Sequence, residues 1–326
     1  MYRNVATVLI TCMLFALGCS NYGSHRESYA NLVRGGNIPI SKHAAYQDSV
    51  ILHKALGEKY YSDRRYQLAI EEFSMAAELA PGDAGAYEGL GRSYREIGKL
   101  DKAIEALEKG LALVPPSQIS PTHAKLRNTK AVTYDMMGKY REAIVEYEKA
   151  IELDLTNDSY YNNMGFSYLL QKRVEESLSA FKKAIEINPD NKTTHSNLGY
   201  AYGLKGAYEL ALNEFRLASD EASAYNNMGY IYTKNGKLSE AIESYDNALK
   251  INPNIPSTYY NKGRAYELLG DADKAIQAYQ EFLKYTTKPS AAEEAFDRMQ
   301  ALKRRNEEKL TETDLKPTSG GTMLTH

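Results

Sequence analysis

Side chains able to carry covalent or acid–base chemistry are few in this 326-residue chain. The cysteines are Cys12 and Cys19, both near the N-terminus. Six histidines, His25, His43, His53, His123, His195 and His326, are scattered, and none stands at metal-ligand spacing from another. No Gly-rich phosphate loop or nucleophile elbow is present. The numerous Glu residues often lie three or four positions from Lys, as with Glu105 and Lys109, which is the chemistry of a solvated helix surface. The sequence is therefore read as that of a non-enzyme, with no catalytic residues, metal, cofactor or small-molecule substrate. A net charge of −2 gives no electrostatic reason to expect nucleic acid as a partner.

One cysteine sits in a reactive context. Arg3 and the α-amine precede an uncharged run from Val5 to Leu17, too short to span a bilayer and suited to the apolar part of a secretory signal. It ends Phe15-Ala16-Leu17-Gly18-Cys19, which resembles the bacterial lipobox with Ala16 and Leu17 in the less common order. The resemblance implies a signal peptide over residues 1–18 and a diacylglycerol on Cys19, the new N-terminus. A cleaved signal with a chance cysteine is the alternative. Cleavage leaves a single cysteine, so no intramolecular disulfide can form. Ser20 rather than Asp after the cysteine implies outer-membrane sorting, with the chain facing the periplasm of a bacterial envelope. Residues 19–49 read as a lipidated tether and lead-in. The stretch from 20 to about 43 is rich in Ser, Asn and Gly, and as a coil it spans roughly 25–30 Å.

A second group of residues offers non-covalent chemistry. Asn163, Asn197, Asn227 and Asn261 recur at near-constant spacing, with Asn162 and Asn226 beside two of them. Phe166, Tyr200, Tyr230 and Arg264 follow three residues after each. A carboxamide donates and accepts at once, so it can pair with a peptide unit whatever side chain that unit bears. Aromatic and Arg side chains are common interface anchors. These are the candidate peptide-binding residues. The competing reading bonds each Asn to a neighbouring helix and packs each ring between helices.

The elements that must position them repeat every 34 residues. Units fall near 50–83, 84–117, 124–157, 158–191, 192–221, 222–255 and 256–289. Position 11 is Tyr in all seven, and position 20 is Ala in six and Ser177 in the other. Position 24 is Phe73, Leu107, Tyr147, Phe181, Phe215, Tyr245 and Tyr279. Proline closes units at Pro81, Pro115, Pro189 and Pro253. This pattern resembles the tetratricopeptide repeat. The resemblance implies an all-α, right-handed superhelical solenoid of helix-turn-helix units with a concave binding surface.

Elementary packing explains the same pattern. Small residues at positions 8 and 20 let two helices cross closely, and the ring at position 11 or 24 is expected to fill the space between units. Gly98, Gly138, Gly206, Gly236 and Gly270 at position 15 suit the left-handed end of a first helix. Arg64 and Lys172 hold that place in units 1 and 4, so those two turns are expected to be built differently. An insertion, residues 118–123, separates repeats 1–2 (50–117) from repeats 3–7 (124–289), and repeat 5 is short. Either is a hinge or ordinary loop variation. Residues 290–310 are read as a capping helix with Ala295, Phe296, Met299 and Leu302 inward, and 311–326 as a disordered tail.

The asparagine row resembles the ladder of the O-linked N-acetylglucosamine transferase superhelix, which implies an extended protein segment held in repeats 4–7. A carboxylate clamp of the chaperone-binding kind is rejected: Lys54 and Arg127 are present, but Glu58 replaces the Asn it needs. The expected function is that of a lipid-anchored protein-binding scaffold or adaptor, its partner an envelope or outer-membrane complex component. The alternatives are a pilotin-like assembly factor for an outer-membrane secretion or pilus complex, and self-association through the solenoid ends.

Overall fold

The computed structural model describes residues 40–115 and 120–314. The signal, Cys19 and nearly all of the tether lie outside the described residues, as do Gln118 and the tail beyond Asp314. The described residues form fifteen helices and no strand. Seven hairpins pair α1 (Ile40–Ser62) with α2 (Tyr66–Leu79), α3 (Ala84–Glu96) with α4 (Leu100–Ala112), and α5 (Pro121–Met136) with α6 (Tyr140–Leu153). They continue with α7 (Asp158–Leu170) and α8 (Val174–Ile187), α9 (Lys192–Lys205) and α10 (Tyr208–Ala218), and α11 (Glu221–Lys234) and α12 (Leu238–Ile251). The last hairpin is α13 (Pro256–Leu269) with α14 (Ala272–Tyr285), followed by α15 (Pro289–Asp314). They gather into two compact units, one ending at Thr156 and one starting at Asn157.

Five of the seven first helices start on side-chain caps. Asp83, Ser120, Asn157, Asn191 and Asp220 each accept a backbone N–H of the following turn, satisfying donors that helix ends otherwise leave free. Within the insertion, Ser120 caps α5 and residues 121–123 form its first turn. The shortness of repeat 5 falls on α10, whose end at Ala218 is followed almost at once by the Asp220 cap.

The turns inside the hairpins correct one expectation. Arg64 and Lys172 adopt φ of 58° and 61°, the left-handed conformation of the five glycines. Their turns close with the same bonds: the amide of Arg65 donates to the Tyr60 carbonyl and that of Arg173 to the Tyr168 carbonyl, as Lys99 does to Tyr94. The hydrogen-bond demand of the turn is met by backbone alone, so a side chain with a Cβ is accommodated at a cost of about 1 kcal/mol.

Position 24, not position 11, fills the core. All seven position-24 side chains are at most 2% exposed, whereas the position-11 tyrosines are half-buried. In the six hairpins with glycine at position 8, the position-24 side chain lies against it: a methyl on Gly165 would sit 2.7 Å from the Phe181 ring. Phe73 also presses on Gly89 of the next hairpin. Burying one such side chain contributes about 2–3 kcal/mol. The position-11 rings instead take cations over their faces, as with Arg173 over Tyr168 at 4.5 Å and Lys274 over Tyr266 at 5.5 Å.

Two pairings vary together along the array. Where position 24 is Tyr, its hydroxyl bonds a polar residue at position 12: Tyr147 to Asp135, Tyr245 to Thr233, Tyr279 to Glu267. Where it is Phe181 or Phe215, position 12 is Leu169 or Gly203. Position 4 is basic in repeats 1, 3 and 5 and faces Glu at position 23: His53 with Glu72, Arg127 with Glu146, His195 with Glu214. In the other four repeats position 4 is Tyr and position 23 is Ala or Ser.

Helix α15 covers the last hairpin with Ala295, Met299 and Leu302. Phe296, expected inward, is 51% exposed. The buried trio follows the helical period, and Phe296 lies about 100° round from Ala295, beyond the reach of α13 and α14.

Candidate functional site

Within the unit that starts at Asn157, the first helices α7, α9, α11 and α13 pack side by side as well as against their own partners. They form one wall. At about 100° per residue, positions 2, 6, 9 and 13 share an arc about 60° wide, turned well away from the buried position 8. The wall is thus the face on which Asn163, Asn197, Asn227 and Asn261 and the row from Phe166 to Arg264 lie.

The structure divides the amides. Asn197 Nδ2 donates to Asn162 Oδ1 of the preceding repeat at 2.9 Å, and Asn261 does the same to Asn226 at 3.2 Å. Asn162 Nδ2 in turn lies 3.5 Å from Asn163 Oδ1. Asn197 and Asn261 therefore stitch neighbouring repeats together, as the helix-bonding alternative has it, though each keeps an acceptor oxygen. Asn227 meets Ser196, not Asn, in the preceding repeat, and its side chain bonds no described residue. All six amides are half-buried, accessible but not fully solvated.

The aromatics are more open. Phe166 is 47% and Tyr230 40% exposed, and Tyr200 packs against Tyr230 with ring centroids 6.2 Å apart. Burial raises the pKa of Tyr200 above the ordinary phenol value, and the neighbouring Tyr230 adds to the rise. The phenol is neutral and able to donate. Lys234 lies over the Tyr230 ring, and Arg264 is half-buried on α13. Sequence reasoning missed position 13, one helical turn beyond position 9, where Leu170 and Leu268 are exposed.

The first helices α1, α3 and α5 of the other unit carry charge at the same places. Arg92 bonds both Glu88 and Glu58, and Glu88 accepts from Thr129 of the next repeat at 2.8 Å. Burial opposes the charge on Arg92, but Glu88 and Glu58 outweigh it and raise its pKa. Lys54 is held by Asp83 at 2.7 Å and Arg127 by Glu146 at 2.8 Å, so both cations considered for a clamp are engaged within the fold. Among the described residues no cluster of three His, Cys, Asp or Glu side chains is placed to hold a metal. Nor is any described helix long and apolar enough to cross a membrane.

Stacked helical hairpins with a side-by-side wall of first helices define a helical-repeat binding protein. The chain belongs to the tetratricopeptide-repeat family. Models of the repeat match residues 44–118, 136–172, 167–206, 229–270 and 256–289. Among curated relatives, the chain is 30% identical over 105 residues to the small glutamine-rich tetratricopeptide repeat-containing protein 2 of Mycosarcoma maydis, covering 32% of this chain and 28% of that one. It is 30% identical over 112 residues to anaphase-promoting complex subunit 6 of Arabidopsis thaliana, covering 34% and 20%. The matches thus span less than a third of these relatives' own length. A tetratricopeptide repeat protein from Parabacteroides merdae superposes with a TM-score of 0.56 at 15% identity, over 78% of this chain and 99% of that one. The Cut9–Hcn1 hetero-tetramer of the APC/C gives 0.50 at 17% identity, over 76% and 51%. These likenesses concern the fold. Proteins of this family mediate protein–protein interactions.

Proposed function

We propose that the wall of α7, α9, α11 and α13 holds an extended segment of a partner protein, and that a lipid on Cys19 anchors the chain in a bacterial envelope, facing the periplasm. One observation carries the first part: half-buried amides stand in a row beside exposed rings, and the amide of Asn227 is bonded to no described residue. A side-chain amide at each repeat suits a chain whose peptide groups recur at regular intervals. The Leu17-Gly18-Cys19 sequence supports the second part.

The pair Phe166→Ala and Asn227→Ala tests the binding face. Loss of about tenfold in affinity for the natural partner, with an unchanged melting temperature, is the expected result for two interface anchors. A photo-crosslinking residue at position 166 should capture one partner that the same residue at the exposed Ile51 of α1 does not. Equal capture at both sites refutes the binding face. For the anchor, Cys19→Ala should move the chain from the membrane to the soluble fraction.

A further inference from the structure

The occupant of this wall has a chemistry that the charges select, an inference that rests on the binding face just proposed. Of the side chains at positions 2, 5, 6, 9 and 13 of repeats 4–7, only Lys234 and Arg264 are charged. Both are cations, on the adjacent helices α11 and α13; Lys234 lies over the Tyr230 ring, and no carboxylate of a described residue stands within ion-pair distance of either. The nearby carboxylates are engaged: Glu267 accepts from Tyr279 and Arg298, and Glu294 from Tyr260 and Arg298, with Arg264 close enough to hold the Glu294 carboxyl down further. Asp246 is bound to Lys262. The other end of the wall is apolar. Phe166 and Leu170, one turn apart on α7, are 47% and 42% exposed. No carboxylate occupies those positions anywhere on the wall, in a chain with 42 Asp and Glu.

We infer that the wall recognises an acidic, amphipathic extended segment: an aromatic or aliphatic side chain seated on Phe166 and Leu170, and one or more Asp or Glu at Lys234 and Arg264. Unpaired cations on a face without anions attract a carboxylate and repel a basic segment. The spacing follows from geometry. Neighbouring helices lie about 8–10 Å apart, and an extended chain advances about 3.3 Å per residue, so it crosses one helix every three residues or so. The apolar anchor on α7 and the acidic residue at α11 or α13 are then separated by about six to nine residues.

The test uses the full chain and a phage-displayed library of random 16-residue peptides. Enrichment of peptides with an apolar anchor and an acidic residue at that separation is expected, with affinity falling as salt rises. Lys234→Glu and Arg264→Glu should each weaken those peptides about three- to fivefold and together shift selection to basic sequences, at an unchanged circular-dichroism melt. Peptides that need Phe166 and Asn227 yet show no acidic preference, or survive the double charge reversal, overturn this inference and leave the binding face standing. A library in which no peptide responds to Phe166→Ala or Asn227→Ala overturns both.

Discussion

Two walls of first helices occur in this molecule, and they are built on one backbone plan with opposite side-chain chemistry. In α1 and α3, positions 5 and 9 hold Glu88, Arg92 and Glu58, closed on themselves and on Thr129 of α5, while Lys54 is held by Asp83. In α7, α9 and α11 the same positions hold Asn162, Asn226, Phe166, Tyr200 and Tyr230. Thr129 to Glu88 and Asn197 to Asn162 are the same bond, position 6 to position 5 of the repeat before. In the first case the donor meets a charge already committed to Arg92. In the second it meets a neutral amide with spare capacity. Exchanging Glu88 for Asn162 at position 5 thus leaves hydrogen-bonding capacity on a wall without altering a helix.

The largest expected effect shows that the core is not what differs. Burial pushes the Tyr245 phenol up to about 12, a rise that its bond with Thr233 only partly offsets. A phenol raised in the folded state stabilises fully below the unfolded value near 10, and that stability is lost as pH rises from 10 toward 12. Wild type should lose about 3 kcal/mol across that window relative to Tyr245→Phe, measured by urea unfolding at stepped pH. Parallel curves would show that the phenol is not buried in solution.

Next in size is the contrast between the walls. Glu88→Ala strips half-buried Arg92 of one carboxylate and Thr129 of its acceptor, and should cost about 2 kcal/mol. Asn162→Ala removes one neutral acceptor and should cost less than about 1 kcal/mol. Equal losses would erase the distinction between a self-satisfied wall and an available one. The smallest effect concerns the shared frame: Arg64→Gly and Lys172→Gly, one in each compact unit, should each add up to about 1 kcal/mol of stability by relieving a left-handed Cβ. Local hydrogen exchange reads each repeat separately. Destabilisation at either position would mean that the side chain has a role the backbone bond does not explain.

The repeat itself was legible because position 11, 20 and 24 residues recur in phase, and stacking demands that recurrence. The turns at Arg64 and Lys172 were not, since neither residue type announces a left-handed conformation. The amide stitching was hidden for another reason. Its partners are 35 residues apart, as in Asn162 and Asn197, one off the repeat period, so an alignment by position never sets them together. Phe296 was misplaced by counting apolar residues without their angle on the helix. The division between available and engaged amides rests on Ser196 standing where repeats 4 and 6 have Asn, a single substitution whose consequence only the geometry reveals.

The alternation of His or Arg facing Glu with Tyr facing Ala or Ser has a consequence for how the chain finds its fold. An array of near-identical hairpins risks pairing a first helix with the second helix of the wrong copy. A slip of one copy would set His195 against Ala180 and leave Glu214 facing Tyr225, stranding a shielded carboxylate without its hydrogen-bond partner. Because both members of each pair lie in one hairpin, a hairpin can be transplanted whole but not split. The pattern is a key cut into otherwise interchangeable parts, one that matches each first helix to its own second helix.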